Sequence, residues 1–363
     1  MRIYIFLLFL LVFSHGLFAQ QQKVSLLFAG DAMQHQAQLD VAKTKNGYDY
    51  SADFMHVQDQ IKKADIAIVN LEVTLPGKRF SGYPNFGSPD EFAFALKDAG
   101  FDVFLTANNH ILDKGKNGLE RTVKVLDSMK VKHTGVFPDK EKRDLYYPLM
   151  LIKNGIRIAM LNYTYGTNEG HVLTPPNIVN YIDRKQILKD IDLAKQMKPD
   201  IIIANMHWGV EYVLKHNKEQ KALADFLIKN GVRLVIGAHP HVVQPIDIQK
   251  DSTGIKNVVV YSMGNLISNM KLTNTRGGMM VNIDISKDEE TNTVTIDSCN
   301  YTLVWVHKLM KDKDTPTFFQ LWPVDKINNE EGRKMIGEKD WECLQTFKTN
   351  AKNAVESLWE KEK

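Results

Sequence analysis

Two histidines, His239 and His241, flank Pro240 in VIGAHPHVVQP (235–245), directly after an apolar run. In an extended backbone, side chains two apart face the same way, so a proline-stiffened H-P-H segment can aim both imidazoles at one pocket. Other apolar runs end on polar groups too. FAGDAMQHQ offers Asp31 and His35, and VNLEVTL offers Asn70 and Glu72. TANNHILDKG offers Asn108, Asn109, His110 and Asp113, and NMHWGVEY offers His207 and Glu211. The collection is rich in nitrogen and oxygen donors and contains no sulfur. Such a set suits one or two ions of zinc, manganese or iron rather than calcium, which takes oxygen alone. A shared carboxylate with several imidazoles is the equipment of a two-metal hydrolytic centre, whose ions sit about 3.5–4 Å apart and clamp the attacking and leaving oxygens.

These residues need strands to carry them. Strand-like runs at 23–30, 65–70, 101–107, 156–165, 200–209 and 232–239 alternate with helical spacing at 53–64, 88–100, 117–130, 184–198 and 217–231. Ser88 reads as an N-cap, Pro89 as the first helical position and Gly100 as the stop. Strands apolar on both faces, alternating with helices, predict an α/β fold with a largely parallel core. Ligands in such sheets bind beyond the carboxyl ends of the strands, where the residues above fall. After residue 240, VVVYSMGNLIS, GGMMVNIDIS, NTVTIDSC and YTLVWVHKLM predict a second, more antiparallel sheet, with SKDEETNTV as a hairpin loop. Helical spacing returns in a C-terminal extension, 326–363.

Several of these residues have plainer uses. Asn70 can satisfy a turn. Asp113 can orient His110, and Glu211 can orient His207. Trp208 and Tyr212 can wall a pocket or fill the core. Asn70, Asn108, Trp208, Glu211 and Asn265 are candidate substrate contacts. Ser262, in YSMGN, lacks the G-x-S-x-G elbow of a nucleophile, and the segment reads as a turn lining the site. SGYPNFGSP (81–89) is a loop long enough to cover a ligand.

The chain has 363 residues, 44% hydrophobic and 25% charged, which is ordinary globular composition. With 46 basic and 43 acidic residues its net charge is +3, so nothing points to nucleic acid as a partner. The start, MRIYIFLLFLLVFSHGLFAQQQ, has Arg2 before an apolar run and a small residue, Ala19, before a glutamine cluster. That is the layout of a secretory signal over residues 1–19, which would export the chain to the periplasm or beyond. An uncleaved anchor is the alternative, although the run is shorter than the roughly 20 residues a spanning helix needs. Two cysteines, Cys299 and Cys343, allow neither a disulfide framework nor a thiolate metal site.

GD, NLE, NNH…D.G, HWG.E, G.HPH and YS.GN, in that order over roughly residues 24–270, resemble the bacterial capsule-synthesis proteins of the CapA type, the poly-γ-glutamate synthesis accessory family. That family is related to the calcineurin-like metallophosphoesterases, whose motifs are Asp-x-His, Gly-Asp, Gly-Asn-His, an isolated His and Gly-His-x-His. The resemblance implies an α/β/β/α sandwich with two mixed β-sheets over 20–325. It implies metal ligation by Asp31, Glu72, Asn109, His207, His239 and His241, with Glu72 or Asn70 at the bridging position. It gives His110, beside Asp113, the role of proton donor to a leaving group. Two motifs depart from the phosphoesterase pattern: Asp31-Ala32-Met33 lacks the histidine of Asp-x-His, with His35 as a candidate substitute, and NLE replaces Gly-Asp. The implied function is metal-dependent hydrolysis of phosphoester or amide-type bonds during assembly of an envelope polymer. The implied partners are an acidic polymer or phosphoester substrate and membrane-bound capsule-synthesis proteins. A non-catalytic component that binds or anchors the polymer fits the same resemblance, because one fold serves many functions.

Overall fold

The computed structural model describes residues 22–168, 172–310 and 316–358; the expected secretory signal lies outside them. Fourteen strands join in one mixed hydrogen-bonded path. They are β1 (Gln22–Ala32), β2 (Ile66–Leu71), β3 (Val103–Leu105), β4 (Lys132–Thr134), β5 (Leu149–Lys153), β6 (Ile156–Thr164) and β7 (Ile201–His207). Then follow β8 (Leu234–Ala238), β9 (Ile246–Asp251), β10 (Gly254–Val260), β11 (Asn265–Ile267), β12 (Gly277–Lys287), β13 (Val294–Met310) and β14 (Pro316–Pro323). The order is β4-β3-β2-β1-β12-β13-β10-β8-β7-β6-β5, with β11 on β1, β9 on β10 and β14 on β13.

Packing divides this path into two facing halves. Leu26, Phe28, Ile66, Ile68 and Leu105 share a core with Ile158, Met160, Ile203, Ile236 and Val260 from the other half. The alternate residues point outward, as the two-residue period of a strand requires. Leu27, Ala29, Ala67 and Val69 pack under helices Asp90–Ala99 and Gly115–Ser128 through Phe92, Leu96 and Leu126. Leu161, Ile202, Ala204 and Val235 pack under helices Arg184–Gln196 and Lys218–Lys229 through Ile187, Ile191, Leu223 and Leu227. Helix, sheet, sheet, helix is the four-layer order that the family resemblance implies. The strands after residue 240 do not stand apart as a second sheet. β12 pairs antiparallel with β1 from Gln22↔Lys287 to Ala29↔Met280, and β13 reaches β10 at Ile255↔Ile296, so this hairpin links the halves. Its second arm is one 17-residue strand where the sequence suggests two.

Local signals set some boundaries and miss others. Gly100, at φ +116, closes helix Asp90–Ala99 as read. Its N-cap, however, is Pro89, and Ser88 is buried with its N–H on the Thr74 carbonyl. The helical spacing at 53–64 yields only Gln58–Lys62 after a 3-10 turn at Ser51–Asp53. Among the described residues no helix is long and apolar enough to cross a membrane, and both cysteines are free thiols.

Candidate metal centre

Asp31 ends β1 fully buried, and its position depends on Gly30. A Cβ on Gly30 would stand 1.9 Å from the Gly264 carbonyl oxygen, so only glycine lets the 263–265 turn lie against β1. The Asp31 N–H then donates to that carbonyl at 3.0 Å. Asn70 and Glu72 follow from β2. The Asn70 Nδ2 lies 2.8 Å from Asp31 Oδ1, 3.3 Å from Glu72 Oε2 and 3.4 Å from His207 Nδ1. Asn70 is therefore a clip between two carboxylates rather than a turn residue. Asn108 braces it, donating through Nδ2 to Asn70 Oδ1 and the Leu71 carbonyl, and its own Oδ1 accepts from the His110 N–H.

The opposite half supplies the imidazoles. His207 ends β7, its Nε2 2.8 Å from Asn109 Oδ1 and 3.6 Å from Glu72 Oε1. His239 and His241 follow β8, but not as an extended segment: their φ values are +99 and +57. Two excursions into the left-handed region on either side of Pro240, uncommon for residues with a Cβ, fold the H-P-H turn so that the rings lie 6.0 Å apart over the same crevice. His241 Nδ1 lies 3.1 Å from Asp31 Oδ2 and 3.0 Å from Asn265 Oδ1. Asn265, anchored in turn on the Thr275 carbonyl, holds His241 and is not open to a substrate.

Three ligand groups overlap here: Asp31–Glu72–His241, Glu72–His207–His239 and Glu211–His239–His241, each with donor atoms within 4.8 Å of one another. Glu72 belongs to two of them, as a bridging ligand must. Burial pushes the Asp31 carboxyl up, yet the hydrogen bond and charge of His241 outweigh it and hold Asp31 well below its ordinary value. Burial, then the Asp31 charge, drive Glu72 well above its own. Burial, then neighbouring imidazoles, keep His207 far below the histidine norm and His239 at about 3, so both are neutral with lone pairs to give. Burial lowers His241 too, but its bond to Asp31 wins and raises it. Glu72 Oε1 and His239 Nδ1 are buried without a hydrogen-bond partner among the described residues. Buried carboxylates side by side call for a compensating positive charge. A divalent cation fits this donor set, held by Asp31, Glu72, His207, His239 and His241, with Asn109 and Glu211 alongside.

Beside the crevice His110 and Asp113 form a pair. Asp113 Oδ2 lies 2.6 Å from His110 Nδ1 and accepts from the Phe86 N–H at 2.6 Å, so one carboxylate fixes both the imidazole and the 81–89 loop. Phe86 packs edge-on against His110 at 4.6 Å. Trp208 is not a wall of the site: it is buried in the core and donates to the Tyr261 carbonyl at 2.9 Å. His35 belongs to none of the ligand groups. Its Nδ1 accepts from the Asn269 N–H at 3.2 Å, and burial lowers it to about 3. Met33, at the missing histidine's position, is buried core. Ser262 Oγ accepts from the Gly264 N–H and shapes the turn.

Two residues escape the sequence reading. Asn168 accepts from Asn109 Nδ2 at 3.2 Å, and its amide lies 3.0 Å from His110 Nδ1, tying those neighbours together. Tyr165 covers His239 at 4.5 Å. Both follow β6, whose carboxyl end runs into YTYGTN, a polar stretch without an acid or histidine to draw notice.

A buried carboxylate–imidazole crevice between the two half-sheets of a four-layer sandwich defines an α/β protein with a donor set that could hold a divalent cation. Residues 25–270 match the family described as bacterial capsule synthesis protein PGA_cap, and the chain belongs to that family. It is 29% identical over 276 residues to the capsule biosynthesis protein CapA of Bacillus anthracis, covering 72% of this chain and 64% of that one. It is 27% identical over 274 residues to the PGA biosynthesis protein CapA of Bacillus subtilis, covering 73% and 68%. The match thus spans about two thirds of these relatives' length. Among solved structures it is similar to a calcineurin-like phosphoesterase, YfkN, from Bacillus subtilis, with 14% identity, TM-score 0.45, and 90% and 99% of the two chains covered.

Proposed function

We propose that this chain is an exported, metal-dependent hydrolase serving the biosynthesis of a capsule or poly-γ-glutamate-type envelope polymer, acting on a phosphoester or amide-type bond. The observation that carries the reading is the overlap of three ligand groups on Glu72, His239 and His241 within one buried crevice. A bound divalent ion would supply Lewis-acid polarisation of the scissile group and activation of water. The chain's own residues do the rest. Asn70 holds the two carboxylates in place, and Asn265 and Asp31 fix the His241 ring. Asp113 engages His110 at Nδ1, leaving Nε2, which bonds to no described residue, to give a proton to the leaving group.

The test is elemental analysis of chelator-free protein followed by hydrolysis of aryl phosphates and γ-glutamyl oligomers in Mn²⁺ or Zn²⁺. Glu72→Gln, which keeps the shape and removes the charge, is expected to lower bound metal. His110→Ala is expected to keep the metal and lose about 10²–10⁴-fold in rate. Unchanged activity in both variants rejects the assignment. Metal uptake without hydrolysis supports a second reading, a polymer-binding component, which the apolar Met33 at a ligand position of the phosphoesterases favours.

A further inference from the structure

Away from the crevice, a cavity of about 190 Å³ lies between helix Asp90–Ala99 and the segment that runs from the short strand Gly47–Tyr48 through the 3-10 turn Ser51–Asp53. Three acids line it, Asp49, Glu91 and Asp98, together with Tyr48, Tyr50 and Phe94; no lysine, arginine or histidine does. Nearby cations are engaged elsewhere. Arg121 pairs with Asp90, Lys97 donates to the Met129 carbonyl at 2.7 Å, and Lys62 reaches the Gln58 amide oxygen at 3.4 Å. Asp98 stands in the last turn of its helix, where a negative charge opposes the dipole. Asp49 is fixed by the Ser51 N–H, which donates to Oδ1 at 2.8 Å. Glu91 leans over the short strand, so that a Cβ on Gly47 would come within 3.0 Å of its Oε1.

The cavity also holds an idle polar group. Tyr50 is 2% exposed, its ring edge-on to Phe92 at 5.2 Å, and its hydroxyl is buried without a hydrogen-bond partner among the described residues. Burial, then the Asp53 charge, followed by Tyr48 and Glu91 of the cavity wall, push that hydroxyl far above its ordinary value, so it stays protonated. Leaving such a group unbonded costs stability.

These features select an occupant. Carboxylates without a partner attract a cation, and aromatic rings bind an ammonium ion that carries carbon. A metal ion suits the place less. Among the described residues these acids form no group of three with donor atoms within 4.8 Å of one another, as the crevice ligands do. The Tyr50 hydroxyl accepts from an N–H, which a quaternary ammonium lacks. A cavity of about 150 Å³ admits benzene, so this one has room for a short alkyl chain.

We propose that this cavity binds a primary alkylammonium group, its N–H donors met by the Tyr50 hydroxyl and the carboxylates of Asp49, Glu91 and Asp98, and its carbon chain by Tyr48 and Phe94. The site shares no residue with the crevice and stands apart from the hydrolase reading.

The test is titration calorimetry and saturation-transfer NMR on the full chain, at fixed ionic strength, with butylammonium, Nα-acetyl-lysine methyl ester, tetramethylammonium and Ca²⁺. The two primary amines are expected to bind, and the other two about tenfold more weakly or not at all. Tyr50→Phe keeps the ring and removes the hydroxyl, and Glu91→Gln keeps the shape and removes the charge. Each is expected to weaken butylammonium binding about tenfold while the denaturant midpoint holds. Tighter binding of the lysine ester than of butylammonium assigns a protein side chain as the source of the amine; equal or weaker binding assigns a free amine. Wild-type chain that binds neither primary amine overturns the proposal. So does tetramethylammonium or Ca²⁺ binding as tightly as the amines, or amine binding indifferent to both substitutions.

Discussion

At the scale of single residues, the protons around the metal centre are sorted before any cation arrives. His207 and His239 are held neutral by burial and by their imidazole neighbours, whereas His241 keeps its proton through Asp31. Only a deprotonated imidazole ligates, so a cation using His241 must displace that proton. A raised value means the proton competes until pH exceeds histidine's ordinary 6.5. Metal affinity is therefore expected to climb as pH rises from about 6 to 8, with proton release visible by calorimetry in buffers of different ionisation enthalpy. His241→Gln should flatten the profile. Asp113 acts through His110 and the Phe86 N–H, not on the metal. Asp113→Asn should cost about 10–100-fold in hydrolysis with bound metal unchanged by elemental analysis. Asp31, Glu72 and the histidines are legible because acids and imidazoles at strand ends are rare without a use. Asn70 and Asn168 are not, because an amide's role depends on which partners the fold places on either side of it.

At the scale of elements, β1 and the turn into β11 form the joint that supports the site. Gly30 allows their close approach, and Asn265 in β11 carries the restraint to His241. Gly30→Ala should destabilise the protein by about 1–3 kcal/mol by overpacking, read as a lowered denaturant midpoint, and should weaken metal binding through the displaced Asn265. Strand and helix alternation is visible through residue 240 because each strand is an unbroken apolar run. Two features escape such reading. The left-handed turn at His239–His241 is one, since H-P-H spacing alone suggests extended backbone. The 17-residue β13 is the other: the polar Ser298-Cys299-Asn300 in its middle looks like a break, yet it continues pairing with β12.

At the scale of the molecule, the C-terminal helix Glu338–Glu356 completes the inner core. Leu344, Phe347, Ala351 and Val355 enter the layer between the half-sheets, and Phe347 meets Trp305 at 5.5 Å. Arg276 anchors the helix start with two 2.8 Å bonds to Asp340. Phe347→Ala should lower stability by about 3–5 kcal/mol, measured by chemical denaturation. The helical spacing of this segment is plain in the sequence. Its burial against β13 is not, because a half-polar helix gives no address for its apolar side. The crevice has its own long-range character. Asp31, Glu72 and Asn109 come from one half of the sandwich and His207, His239 and His241 from the other. An ion seated there would bridge both halves, so stripping it with a chelator is expected to lower the denaturant midpoint while the shared core keeps the halves together.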